Sequence, residues 1–190
     1  MKESRRITMT KNLLKESLLE ILKSKPLPKI TIKEICENAD VNRSTFYLHY
    51  ADQFALCDEI ENDSVEKINT CLAKVSMKNN RVEGLTEFLA YMKSSGELFK
   101  ILMRPDFNNS FRVRFTEVAI KRLAELDYHD NVSDEDKEYI FRFMFMGVLG
   151  MLEKWVKDDF DKSPEEIAAF ILSLLPSISA ALKKRTILLS

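Results

Sequence analysis

Glycine, proline, histidine and cysteine are all scarce in this sequence. Its 190 residues include 4 Gly, 5 Pro, 2 His and 3 Cys. So little glycine and proline argues against an all-β sandwich, which needs many tight turns, and favours long helices. The three cysteines contain no C-x-x-C pair and cannot all pair within one chain, so we expect reduced, mostly buried thiols in a cytoplasmic protein.

Long apolar runs and catalytic signatures are also missing. The longest charge-free apolar run, residues 143–152, is far shorter than the ~18 residues that span a membrane, and the basic N-terminus lacks the apolar run of a signal peptide. The two histidines, His49 and His129, lie in no zinc-protease motif, and neither a glycine-rich phosphate loop nor paired metal ligands occur. We therefore expect that the protein is not an enzyme, that it binds neither a cofactor nor a metal, and that it does not contact a membrane.

The sequence does contain an uneven distribution of charge. Hydrophobic residues make up 45% of the chain and charged residues 31%, as in globular proteins, and the net charge is −1. Residues 1–50 nevertheless hold ten Lys and Arg against six Asp and Glu, whereas the remaining residues hold 19 against 24. This asymmetry indicates a module that faces a polyanion, although an excess of this size also arises by ordinary fluctuation.

A first helix is predicted from the spacing of Leu14, Leu18 and Leu22. Thr10 is a suitable N-cap for it, and the prolines at positions 26 and 28 end it. This helix therefore presents one apolar stripe toward a core.

Two shorter helices follow within residues 31–50. Thr31 and Glu34 predict a capping box that opens the second helix. Residues 40–42 then predict a tight turn into a third helix over residues 43–50. Two helices joined by a turn of about three residues are typical of a helix-turn-helix.

The rest of the chain is also helical in pattern. Apolar residues recur at helical spacing, and no segment alternates as a strand does. Ser163 and Pro164 form a compact helix start, with Ser as N-cap and Pro at the first position. The chain is therefore predicted to be all-α. The further predicted helices cover residues 54–72, 85–92, 98–103, 111–126, 134–156 and 164–182.

A dozen residues at fixed spacing carry a resemblance to the DNA-binding domain of the TetR family of transcriptional regulators. They are Ile30-Thr31-Ile32-x-x-Ile35 followed by Ala39-x-Val41-x-Arg43-Ser44-Thr45-Phe46-Tyr47-x-His49-Tyr50. The match covers about residues 8–56. It implies an N-terminal three-helix helix-turn-helix domain at residues 1–54, followed by a helical-bundle domain for ligand binding and dimerisation at residues 55–190.

Two positions depart from the family pattern. Asp40 stands where the family usually has the turn glycine, and aspartate tolerates the left-handed backbone conformation that the turn requires. Gln53 stands where the family usually has a lysine that contacts a phosphate. Because this lysine is missing, we expect the affinity for DNA to depend more on the lysines and arginines near the N-terminus.

The resemblance implies that the third helix reads DNA. Arg43, Ser44 and Thr45 lie at its N-terminus, where hydrogen-bonding side chains and an arginine suited to guanine reach base edges in the major groove. Phe46 and Tyr50 instead share one face and are expected in the core. The implied DNA-binding residues are Thr31, Lys33, Asn42, Arg43, Ser44, Thr45, Tyr47, Leu48 and His49.

Residues 139–155 are apolar on every side of a helix. A small domain covers one face of such a helix, so the other face is expected against a second chain; a fully covered helix in a monomer is the alternative. In the TetR family the last two long helices form a four-helix bundle across a two-fold axis, which implies a homodimer. The implied interface residues are Phe143, Gly147, Gly150, Met151, Ile171, Leu174 and Leu175.

The same region is rich in Phe and Met. In the family such helices enclose a pocket for a small effector, often apolar, although Phe and Met equally fill cores. Arg142 lies inside the apolar helix and either anchors an anionic group or forms an ion pair in the core or interface. The implied ligand-binding residues are Phe88, Met92, Phe99, Met103, Phe111, Phe115, Arg142 and Met146.

Together these features predict a homodimeric, sequence-specific regulator that binds a palindromic operator in double-stranded DNA. The resemblance implies a repressor that is released by an effector bound in the C-terminal domain. The alternative is a TetR-like regulator or activator controlled by a protein coregulator, with a C-terminal core too full for a ligand. A cavity of ligand size inside residues 80–160 would favour the effector.

Overall fold

The computed structural model describes residues 2–75, 81–104, 107, 109–125 and 134–174. The described residues form α-helices, one short 3-10 helix at Leu27–Lys29 and no strand, which confirms the all-α prediction. The helices are α1 (Lys2–Leu22), α2 (Ile32–Ala39), α3 (Arg43–Tyr47), α4 (Gln53–Val75), α5 (Arg81–Ser94), α6 (Gly96–Leu102), α7 (Ser110–Ala124), α8 (Asp134–Lys157) and α9 (residues 164–174).

The chain divides into two compact units. The first unit comprises Met1–Ser64 together with Ile101–Phe111, and the second comprises Val65–Lys100 together with Arg112–Ser190. The first unit therefore contains the predicted helix-turn-helix residues, the first half of α4 and the segment that joins α6 to α7. No helix within the described ranges is both long enough and apolar enough to cross a membrane.

The core of the first unit is built on α1. Leu14 and Leu18 are fully buried, and Ile35 of α2 and Phe46 of α3 are buried in the same unit. Each such side chain contributes ~1.5–3 kcal/mol when it is fully removed from water. Ser17 fixes α1 to α2 because its hydroxyl donates to the Ile35 carbonyl at 2.8 Å.

In the helix-turn-helix region, two helix boundaries differ from the sequence predictions, and the predicted start of α5 at residue 85 lies four residues after its observed start at Arg81. α1 begins at Lys2 and runs through Thr10, so the prediction of Thr10 as N-cap is wrong. The residues before Thr10 include neither Gly nor Pro and are compatible with a helix, so nothing stops α1 there. α3 ends at Tyr47 rather than Tyr50, although the amides of His49 and Tyr50 still donate to the Phe46 carbonyl at 2.9 and 3.0 Å.

In the second unit α8 has two contrasting faces. Phe141, Phe145 and Leu152 are among its buried residues, whereas Phe143 is 71% exposed. Of this helix, which is apolar on every side, one face therefore packs against the chain's own core and the other face is exposed to solvent in the single chain.

A tight turn joins α8 to α9. Asp159 and Phe160 both adopt left-handed backbone conformations, with φ of 57° and 56°. Lys93 stabilises the turn because its Nζ donates to the carbonyls of Phe160 and Lys162, each at 2.9 Å. Ser163 then caps α9 by accepting from the Glu166 amide at 3.1 Å, which confirms the predicted helix start. The predicted end of this helix at residue 182 lies outside the described residues.

Candidate DNA-binding surface and apolar cavity

The start of α2 is fixed by a capping box. Thr31 Oγ1 accepts from the Glu34 amide at 3.2 Å, and the Glu34 carboxylate accepts from the Thr31 amide at 2.8 Å. Lys25 Nζ donates to the same carboxylate at 2.6 Å. The hydrogen bond from Lys25, followed by those from Thr31, lowers the pKa of Glu34 to about 2. The predicted capping box is confirmed, and Thr31, a predicted DNA-binding residue, is exposed at this helix start.

The turn from α2 to α3 has the geometry that its residues predict. Asp40 has φ of 51° and ψ of 44°, which is the left-handed conformation expected for the residue in place of glycine. The Val41 amide donates to the Cys36 carbonyl at 3.0 Å. Asn42 Oδ1 then caps α3 by accepting from the amide and the hydroxyl of Ser44, at 2.9 and 3.0 Å. These contacts set the direction in which α3 leaves the turn.

α3 separates buried from exposed side chains. Phe46 is fully buried and Tyr50 is 4% exposed, which confirms the prediction that both belong to the core. Tyr47 and Leu48 are 58% and 79% exposed. The remaining predicted contact residues are also accessible: Arg43 and Ser44 are exposed, and Thr45 and His49 are half-buried.

Burial affects Tyr50 chemically as well. Burial raises the pKa of its hydroxyl, and the negative charge of Glu59 raises it further, so this tyrosine stays neutral. Lys11 Nζ lies 5.4 Å from the centre of the Tyr50 ring, a cation–π arrangement. Tyr50 therefore anchors the end of the helix-turn-helix to α1.

Two lysines of α1 form ion pairs with carboxylates of α4. Lys11 Nζ lies 2.9 Å from Glu59, and Lys15 Nζ lies 2.8 Å from Glu59 and 2.6 Å from Asp63. Burial opposes the charge of Lys15, but the hydrogen bonds that its Nζ donates to Asp63 and Glu59 outweigh this effect and raise its pKa. These lysines hold α1 against α4, and in the single chain their charges are paired with carboxylates.

Several other basic side chains of the first unit are exposed and can contact a polyanion. Lys33, a predicted contact at the start of α2, is exposed and lies 3.7 Å from Glu37. Arg43 is exposed and has neither a hydrogen bond nor an ion pair with any described residue. Other exposed basic side chains of this unit are Arg5, Arg6, Lys23 and Lys29, and Lys23 lies 2.6 Å from Glu20.

The exposed face of α8 carries a stripe of apolar and small residues, which we call the α8 stripe. It consists of Tyr139, Phe143, Met146, Gly147 and Gly150, which follow one another at helical spacing and are all exposed. A Cβ placed at either glycine meets no atom within 4 Å. Three predicted interface residues therefore share one face, and Tyr139 joins them although the sequence did not single it out.

The other predicted interface residues are divided. Leu174 of α9 is 39% exposed, and Phe170, which the sequence analysis missed, is also exposed. Met151 is half-buried, whereas Ile171 is buried in the second unit. Leu175 lies outside the described residues.

The second unit contains an apolar cavity of about 90 Å³. Only Phe88 and Phe115 of the predicted ligand-binding residues line it. Sequence periodicity missed the aliphatic lining residues, because aliphatic side chains at core spacing have no feature that distinguishes a cavity wall from a filled core. The lining residues are Leu72, Val75, Leu85, Phe88, Phe115, Ala119, Arg122, Met144, Phe145, Val148, Leu152, Ile171 and Leu172.

The other six predicted ligand-binding residues lie away from the cavity. Met92 and Phe99 are buried elsewhere in the second unit, and Met103 and Phe111 are buried in the first. Met146 belongs to the α8 stripe.

Arg142 lies on the exposed side of α8. It pairs one helical turn away with Glu138, at 2.9 Å. This exposed position does not fit the prediction that Arg142 anchors an anion in the pocket, and it does not fit an ion pair in the core. It is compatible with an ion pair at an interface.

Comparison with known proteins shows what the chain is similar to. The TetR-type family model described as "Transcriptional regulator C-terminal region" matches residues 79–177, more than half of the chain. An uncharacterized HTH-type transcriptional regulator of Bacillus subtilis strain 168, YxbF, is 25% identical over 169 residues. That match covers 85% of this chain but only 43% of YxbF, so the chain spans less than half the length of this relative.

Solved structures share the fold. A TetR transcriptional regulator from Streptococcus agalactiae 2603V has a TM-score of 0.66 at 22% identity, over 92% of this chain and 97% of its own. The dihydroxyacetone kinase operon activator DhaS has a TM-score of 0.63 at 20% identity, over 88% and 94%. The fatty acid degradation regulator FadR from Bacillus halodurans has a TM-score of 0.65 at 13% identity, over 87% and 94%. With the family match over more than half its length, the chain belongs to the TetR family of transcriptional regulators.

Proposed function

We propose that this protein is a homodimeric, sequence-specific DNA-binding repressor that a small effector releases from its operator. The observation that carries the proposal is the accessible side of α3. Arg43, Ser44, Tyr47 and Leu48 are exposed there, while Phe46 is fully buried and holds the helix in place. A rigid helix with an exposed N-terminal arginine is the geometry that reads base edges in the major groove.

The contacts divide into base-reading and backbone-positioning groups. Arg43 can donate two hydrogen bonds to the paired acceptors of guanine, and it forms no hydrogen bond or ion pair with any described residue. Lys33 and the amides at the start of α2 face phosphates, because a helix N-terminus favours negative charge. Ser44 and Asn42 bond to each other, so their first role is to fix the start of α3.

The α8 stripe supports the dimerisation that we propose. A continuous exposed stripe of aromatic and small residues is costly in water and permits close helix approach when a second copy covers it. The two-fold axis would place two copies of α3 in successive major grooves, about 34–36 Å apart. A palindromic operator follows from this symmetry.

The cavity in the second unit supports control by a small effector rather than by a protein coregulator. A ligand shifts the balance between two spacings of the α3 helices only by the difference in its affinity for them. The effector is therefore expected to bind the free repressor more tightly than the DNA-bound repressor.

Selection of bound duplexes from a random pool tests the proposed function. We expect a palindrome whose half-sites lie about one helical turn apart, and an Arg43→Ala variant that no longer enriches it. The matched control is Lys121→Ala, which removes an exposed positive charge of α7 outside the first unit and should enrich the same sequence. A pool without any shared motif, or an asymmetric single site, would refute the proposal.

The sign of regulation needs a separate readout. A reporter gene behind the selected operator should be repressed by the wild-type protein. Activation of the reporter would leave DNA recognition intact and overturn the repressor assignment.

A further inference from the structure

The ion pairs between α1 and α4 fix how the two helices lie along each other. Lys11 donates to Glu59 at 2.9 Å and Lys15 donates to Asp63 at 2.6 Å, and in both pairs the partner lies 48 positions later in the chain. Because both residue numbers rise by four from one pair to the next, the two helices run in the same direction where they meet.

This register places the beginning of α1 level with the beginning of α4. Gln53, the first residue of α4, lies 48 positions after Arg5. Both helices are continuous from these residues to the ion pairs. A helix rises by ~1.5 Å per residue, so Arg5 and Gln53 each lie about 9 Å from the Lys11–Glu59 pair, measured in the same direction along their own helices.

This end of α1 and α4 adjoins the helix that we propose reads DNA. α3 ends at Tyr47, and only residues 48–52 separate it from α4. Lys11 Nζ lies 5.4 Å from the centre of the Tyr50 ring, so the N-terminal half of α1 borders this connection. A duplex held by α3 would therefore pass the beginning of α1 and α4 with its phosphate backbone.

Two arginines supply positive charge at this end. Arg5 and Arg6 are exposed, and neither forms a hydrogen bond or an ion pair with any described residue. Gln53, at the same level, is half-buried and uncharged. A guanidinium group is planar and can donate two parallel hydrogen bonds to one phosphate. The arginines therefore have both the charge and the free donors that a phosphate contact needs.

We propose that Arg5 and Arg6 bind phosphates of the operator backbone beside the beginning of α4, and that the DNA-binding surface extends onto α1. This inference rests on the proposed DNA binding and adds to it a contact without base preference. Phosphate contacts position a protein on the duplex and release counterions, so they are measured through the dependence of affinity on salt.

The double variant Arg5→Gln/Arg6→Gln tests the contact in the full-length protein. Affinity for the selected operator is measured by fluorescence anisotropy from about 50 to 200 mM salt. The loss of two phosphate contacts should lower the salt slope by about 1.8, so the ratio of wild-type to variant affinity should fall about twelvefold over this range. A variant that keeps the wild-type slope would overturn the inference.

Two further variants exclude other causes of a lower slope. Lys23→Gln/Lys121→Gln also removes two exposed positive charges, one at the opposite end of α1, about 27 Å from Arg5, and one outside the first unit. It should keep the wild-type slope, and an equal fall would assign the effect to net charge and overturn the contact. Arg5→Lys/Arg6→Lys retains both charges and should also keep the slope. A fall as large as that of the glutamine variant would contradict a phosphate contact.

A cation at position 53 tests the register between α1 and α4. Gln53→Lys lies level with Arg5, so its ammonium group would neutralise the same stretch of backbone. We expect Gln53→Lys to raise the operator affinity of the Arg5→Gln/Arg6→Gln variant by about tenfold at low salt, and that of the wild type by much less. Equal gains in both backgrounds would show that the positions do not share a phosphate, and would overturn the placement.

The outcomes separate this inference from the proposed function. A wild type that enriches no shared sequence refutes the proposed DNA recognition. A wild type that selects its palindrome, with a salt slope that Arg5→Gln/Arg6→Gln leaves unchanged, overturns this inference alone. If the variant loses affinity only for operators with one particular flanking sequence, the arginines read bases in a groove and the phosphate contact is wrong.

Discussion

Replacing Gly150 by glutamate separates dimerisation from folding. Gly150 is exposed on the α8 stripe, and a Cβ there meets no atom within 4 Å. The new side chain therefore meets no obstacle in the single chain, and the loss of a glycine from a helix interior favours the helix by up to ~1 kcal/mol. We expect Gly150→Glu to keep its helical content in far-ultraviolet circular dichroism.

The dimer should respond very differently. Across a two-fold axis the variant places two carboxylates opposite each other without water, one from each copy. An uncompensated buried charge costs ~3–5 kcal/mol, which corresponds to dimerisation weakened by about a hundredfold to several-thousandfold. Operator binding should fall with it, because a single half-site gives only weak affinity.

Sedimentation at micromolar concentration measures this effect. We expect a wild-type dimer and a monomeric Gly150→Glu variant. Gly150→Gln has the same shape without the charge and should dimerise more strongly than the glutamate variant, while Ala90→Glu adds a charge to an exposed position of α5 and should remain dimeric. A dimeric Gly150→Glu would place the interface away from the α8 stripe, and a monomeric wild type would refute dimerisation altogether.

Three further predictions concern the first unit and the helix packing of the second. Lys33→Ala should weaken binding to every duplex alike and lower the salt slope by about one, measured by fluorescence anisotropy at several salt concentrations; a loss confined to one operator would contradict a phosphate contact. The pKa of Glu34 is lowered to about 2, so the stability that its charge contributes is complete above about pH 4.5 and is lost as the pH falls toward 2. In thermal unfolding, the wild type should therefore lose its stability advantage over Glu34→Gln between these two pH values. A stability difference that stays constant over this range would refute the ion pair. Gly84→Ala should lower the free energy of unfolding by ~1–3 kcal/mol, because the new methyl would lie 2.8 Å from Lys74 Cβ; an unchanged value in denaturant titration would show that α4 and α5 can separate.

The sequence predicted the local features of the helix-turn-helix well. The capping box of Thr31 and Glu34, the left-handed Asp40 and the N-cap Asn42 depend on neighbouring residues only, so their chemistry is visible in a short segment. The burial of Phe46 followed from the spacing of apolar residues on a helix that also has a polar face.

The second unit was less predictable for a physical reason. When a helix is apolar all round, its periodicity does not tell which side faces the core, so exposed Phe143 and buried Phe145 are equivalent in sequence. Long-range pairs are hidden in the same way: Lys15 and Asp63 meet across 48 positions of the chain. The cavity depends on many such pairings at once, which is why the prediction identified only two of its lining residues.

The most direct test of the central claim compares operator variants that differ by single base pairs. The affinities of the wild type and of Arg43→Ala are measured for each variant of the selected palindrome at fixed salt. We expect Arg43→Ala to lose ~1–3 kcal/mol on the intact operator and to become indifferent to one base pair in each half-site. A uniform loss of affinity over all variants, with every base preference retained, would contradict base reading by α3.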